Sequence, residues 1–144
     1  MKKIIIYVIS IVLFVSCKVE PKEINFGHDA CHYCKMTIVD KPYASEIVNS
    51  KGKVYMYDAI ECMLKNLEDE NLDAKMYLVF DFKNPNQFIN ALEAYYVISD
   101  KIKSPMGENL AAFNSKSSSE KFIENNGGKL YNWDEIKNHF KSYE

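Results

Sequence analysis

Residues 28–36 read HDACHYCKM, two cysteines, two histidines and a methionine within nine positions. A chain holding this stretch has to fold around it. Thiols at CxxC spacing end as a disulfide, as a redox couple or as ligands of a metal. A third thiol, Cys62, follows in "DAIECMLKNLED" (58–69), where Ile60, Met63, Leu64 and Leu67 fall at i, i+3, i+4 and i+7. That spacing predicts an amphipathic helix. Asp58, with Glu61 three residues on, predicts a capping-box start with Asp58 as N-cap. Cys62 lies opposite the apolar stripe, so it faces either solvent or the cysteine knuckle.

The N-terminus bears on how many thiols are available. Met-Lys-Lys is followed by "IIIYVISIVLFVS" (4–16), an uncharged run of 13 residues, short for a bilayer span but right for the apolar part of a leader. The run stops at "FVSC", which resembles a bacterial lipobox, with Phe14 where leucine is usual. Cys17 is then a lipid anchor and residue one of the mature chain, and its sulfur is not a ligand. Of four cysteines, Cys31, Cys34 and Cys62 remain, an odd number for an exported protein. A purely structural disulfide scaffold does not use an odd set.

Loss of residues 1–16 leaves 128 residues, enough for one domain with a real core or two small lobes. It also leaves 16 lysines against 20 acidic residues, a formal charge of −4, and the chain has no arginine. That balance argues against nucleic acid as a partner.

Past the knuckle, two β-rich stretches flank Ser50-Lys51-Gly52-Lys53, a hairpin signal. Further strands are expected at "KMYLVFDF" (75–82), "AYYVIS" (94–99) and "KLYNW" (129–133). "SPMGENLAAF" (104–113) reads as a loop leading to a strand or turn. Helices are expected from Ser118 or Ser119 to Gly127-Gly128, and over "DEIKNHFKSY" (134–143). Strand–strand–helix thus occurs twice, and the expected class is α+β with antiparallel hairpins and packed helices.

The order CxxC, hairpin, helix is the layout of a treble-clef zinc site. Closing it needs a donor near Cys62, and at helical spacing stand Asp58, Ala59, Lys65 and Asn66, none of them soft. Closure would fall to His28 or His32. A thiol oxidoreductase needs CxxC at a strand-to-helix junction, yet "KMTIVDKP" (35–42) is β-like and broken by proline. A simple Cys31–Cys34 disulfide accounts for neither Met36 nor Cys62. Met36 turns the balance: a thioether is a soft neutral donor, suited to Cu(I) and seldom used by zinc. Ordinary core packing is the alternative for Met36, and for Met106 in its proline-preceded loop. His139 is expected at the surface.

Taken together, the lipobox, "DACHYCKMTIVD" (29–40), "VYMYDAIECM" (54–63), "AYYVIS" and "SPMGENLAAF" resemble the NosL family, copper-binding lipoproteins that assist assembly of nitrous oxide reductase. Lys35 departs from the pattern, standing where the family usually has glycine. The resemblance implies two small ββαβ-type lobes, similar to the N-terminal region of organomercurial lyase. It implies Cu(I) held by Cys31, Cys34, Met36 and Met106, with no catalytic activity. It divides the chain into a leader (1–16), a lipid-anchored tether (17–27) and a copper-binding domain (28–144) with lobes at about 28–90 and 91–144. It implies a monomer in the cell envelope, tethered to the membrane, delivering copper to nitrous oxide reductase or another copper client.

Overall fold

The structure, a computed structural model, describes residues 18–141. The leader and the lipidation expected at Cys17 lie outside the described residues. The first hairpin forms where the sequence signals it, β1 (Ser45–Asn49) against β2 (Val54–Tyr57). Asn49 Oδ1 closes the turn by accepting from the amides of Lys51 (3.0 Å) and Lys53 (2.8 Å). β3 (Ala74–Phe80) pairs with the other side of β1, and β4 (Phe88–Asn90) pairs with β3. The sheet runs β2-β1-β3-β4, antiparallel throughout.

Helix α1 (Ile60–Asp69) connects β2 to β3. Its start corrects the expected capping box. The N-cap is Ala59, with no side-chain capping bond, because the Asp58 carboxylate accepts from the thiol of Cys34 instead.

The second sheet has the order β6-β5-β7, with β5 (Tyr95–Ile98) between β6 (Leu110–Phe113) and β7 (Lys129–Tyr131), again antiparallel. Helix α2 (Lys116–Asn126) starts ahead of the expected Ser118 or Ser119, because the Ser115 side chain accepts from the Ser118 amide at 3.2 Å and caps it. Helix α3 (Trp133–Lys141) opens on a reciprocal cap. The Asn132 amide donates to Glu135 Oε2 (2.8 Å) and the Glu135 amide to Asn132 Oδ1 (3.0 Å). The architecture is α+β, as expected.

One large core joins the two sheets. Ile47, Tyr57 and Val79 of the first sheet and Ile60, Met63 and Leu64 of α1 meet Tyr96, Leu110 and Ala112 of the second sheet and Ile136 of α3. Cys31 and Cys62 belong to the same cluster. A smaller core of Val97, Ile102, Ala111, Phe113 and Phe122 lies on the opposite face of β5 and β6, beneath α2. Each fully buried aliphatic or aromatic side chain contributes about 1.5–3 kcal/mol, so apolar burial carries the folding free energy.

Residues 18–27, the expected tether, run along the first sheet. The Lys22 amide donates to Glu46 Oε1 (3.0 Å), and Ile24 is buried. At Gly52, whose φ is +76°, a Cβ would lie 2.6 Å from the Lys18 carbonyl oxygen, so the turn and this segment are in close contact. Glu46 shares its face of the sheet with Met56 and Leu78, and this covering segment explains why all of β1 is buried.

Candidate metal centre

The CxxC segment is a compact turn between two short arms, bridged at Ala30 and Thr37. The Cys31 amide donates to the Met36 carbonyl (2.7 Å) and the Lys35 amide to the Cys31 carbonyl (3.1 Å). Lys35 has φ +66°, the left-handed conformation that glycine adopts without strain. Lysine thus holds a turn that would suit glycine, and the Lys35 ammonium donates to the His32 carbonyl. The His32 amide donates to the Met56 carbonyl (2.7 Å), which clips the knuckle to edge strand β2.

So placed, the knuckle aims its thiols at the start of α1. Cys34 Sγ donates to Asp58 Oδ1 at 3.4 Å, and Cys31 and Cys62 share a hydrogen bond. Ligand atoms of Cys31, Cys34, Asp58 and Cys62 all lie within 4.8 Å of one another. Two sulfurs bound to one metal at about 2.3 Å each are at most roughly 4.6 Å apart, so little movement separates this arrangement from a metal site. Cys31, Asp58 and Cys62 are buried and Cys34 is half-buried, which gives the cluster one side towards solvent. All three cysteines are free thiols.

The thiols are not equivalent. Donation from Cys62, helped by the backbone amides of Asp58 and Cys34, brings Cys31 down to about 6 against the opposing effect of burial. Cys62, the donor in that bond and itself buried, is pushed up. Burial also pushes Cys34 up, and the charges of Cys31 and Asp58 add to it. A thiolate favoured by one thiol donor and two backbone amides is a ready soft ligand.

Of the four metal ligands expected from sequence, Cys31 and Cys34 come together at this cluster. Met36 stands 57% exposed at the outer end of the turn, with its amide facing the Cys34 sulfur. Met106 is half-buried and packs against the core that contains Cys31 and Cys62. His28 is exposed, and His32 sets its ring edge-on to Tyr55, with centroids 4.8 Å apart. His139 is half-buried, its ring centroid 5.2 Å from that of Tyr131. Sequence reasoning missed Asp58 in the cluster and left Cys62 open. The signal was the i, i+4 spacing of the two, which sets them on one side of the helix start.

The model of the NosL family matches residues 22–140. The "Copper-binding lipoprotein NosL" of Stutzerimonas stutzeri is 31% identical, over 75% of this chain and 62% of that protein. The chain thus spans under two thirds of the length of that curated relative. The crystal structure of the copper chaperone NosL from Shewanella denitrificans superposes with a TM-score of 0.71 at 29% identity, covering 82% of this chain and 96% of the other. With knuckle, sheets and family model in agreement over most of its length, the chain belongs to the NosL family.

Proposed function

We propose that this chain is a membrane-tethered Cu(I) carrier, which takes up the ion at its cysteine knuckle and hands it to nitrous oxide reductase or another copper client. The convergence of three thiols within 4.8 Å of one another carries this reading. Thiolates suit a soft monovalent ion, and a thioether at the rim suits its release to a second protein. Cys31 and Cys34 are the primary ligands, with Met36 and Met106 as the neutral donors. The names of the two relatives support copper as cargo, and the first supports a lipid anchor, here placed at Cys17. Among the described residues no helix is long and apolar enough to cross a membrane. Attachment to the cell envelope is assigned to the lipid.

The experiment is a competition for Cu(I) between the reduced mature domain and a chromophoric cuprous chelator. One ion retained per chain supports the carrier, and none retained overturns it.

The Asp58 oxygen in the cluster favours a second reading, zinc held by three thiolates and a carboxylate. A structural zinc site would unfold on chelation, whereas a carrier folded by apolar cores keeps its circular dichroism. An oxidoreductase fits the thiols poorly. Cys31, the thiol with the lowered pKa, is 1% exposed, while outward-facing Cys34 is held protonated.

A further inference from the structure

We propose that Cys62 is a third thiolate ligand, so that Cu(I) sits among Cys31, Cys34 and Cys62 rather than on the CxxC pair alone. The inference rests on the copper reading above and refines its donor set.

Three observations carry it. Cys62 is fully buried although it lies opposite the apolar stripe of α1, and its sulfur lies within 4.8 Å of those of Cys31 and Cys34. Cys62 also stands in the first turn of α1, a ten-residue helix whose N-terminal dipole favours an anion at that end. Finally, the spacing fits. Three sulfurs bound in a plane at about 2.3 Å lie roughly 4.0 Å apart, and the present separations of up to 4.8 Å close to that by side-chain rotation.

Chemically, the step is ligand exchange with no change of oxidation state. Copper stays monovalent, each ligating thiol gives its proton to solvent, and up to three Cu–S bonds form. The excess negative charge is opposed by the amides of Asp58 and Cys34 aimed at the Cys31 sulfur and the Met36 amide at Cys34. Asp58 is left outside the soft set, since a hard carboxylate oxygen offers Cu(I) little. A third ligand from α1 ties the knuckle to the helix and shields the ion on its inner side. Cys34 and the exposed Met36 remain as the route by which a client's ligands approach.

The test is copper K-edge absorption on selenomethionine-labelled protein loaded with one Cu(I), in which thioether donors appear as selenium and only cysteines appear as sulfur. Three Cu–S contacts support the inference, and two overturn it while leaving the carrier reading intact. Failure of the wild-type protein to take up copper overturns both. As a second arm, Cys62→Ser, checked for native circular dichroism, should weaken Cu(I) affinity by at least about 100-fold, beyond the cost of losing a residue behind the ligands. A folded variant of unchanged affinity overturns the inference. The sulfur count on the wild-type protein decides the matter if the variant does not fold.

Discussion

Cys34 donates its thiol proton to Oδ1 of Asp58 at 3.4 Å, across 24 positions of chain. The bond draws the knuckle onto the start of α1. It also takes the Asp58 carboxylate away from the cap it would otherwise form. A missing N-cap costs a helix about 1 kcal/mol. Here α1 is retained by its buried face of Ile60, Met63 and Leu64, which are 0–2% exposed.

Replacing Asp58 by asparagine keeps an acceptor for Cys34 and removes the charge. That charge is one of the forces holding Cys34 protonated, behind burial. At pH 8, Asp58→Asn should therefore react with iodoacetamide at Cys34 several-fold faster, read by mass spectrometry of the alkylated peptide. An unchanged rate would leave burial and the neighbouring Cys31 as the causes.

Cys62→Ala removes the chief stabiliser of the Cys31 thiolate. In the wild-type apo-protein, thiolate absorbance at 240 nm should develop a first step with a midpoint near 6, from Cys31. In the variant that step should move up towards the ordinary thiol range, because burial then acts unopposed by its main counterweight. A midpoint that stays near 6 would assign the effect to the backbone amides alone.

Glu61 is fully buried, neither of its carboxylate oxygens has a hydrogen-bond partner among the described residues, and burial pushes its carboxyl up to about 7. In the unfolded chain it ionises near the usual value of about 4.3. Its protonated form therefore stabilises the fold fully below that value, and the contribution is lost as pH rises through about 7. Glu61→Gln should match wild type in urea denaturation at pH 4 and exceed it by roughly 1–3 kcal/mol at pH 8. Glu46, also buried and raised to about 7, acts with the same sign. Equal stability of the variant and wild type at pH 8 would show that Glu61 is solvated in the native protein.

Lys35→Gly should raise the melting temperature slightly. Relief of the left-handed strain gives about 1–2 kcal/mol, and glycine's extra freedom in the unfolded chain takes back about 0.5–1 kcal/mol. Lys35→Val should be destabilising, since a β-branched side chain tolerates that conformation worst. Calorimetry on the two variants checks the order. A valine variant more stable than glycine would contradict the assigned backbone geometry.

What could be read from the sequence was what is local. Hairpin β1–β2 was legible in the Ser50–Lys53 turn, α1 in the spacing of Ile60, Met63, Leu64 and Leu67, and the knuckle in CxxC. Strand β4 was not, since three residues cannot show an alternation. Asp58 was misjudged because its local cap geometry competes with a bond to Cys34 that exists only once the knuckle has folded over. The shared core was equally out of reach. It depends on Tyr96 and Trp133 meeting at a centroid distance of 6.1 Å, on elements with no sequence pattern in common.

The path of residues 18–24 has a mechanical consequence. With the Lys18 carbonyl against Gly52 and the Lys22 amide bonded to Glu46, residues 18–22 are strapped along the first sheet. A pull applied at Lys18 would therefore pass straight to the tip of the β1–β2 hairpin instead of being taken up by a slack leash.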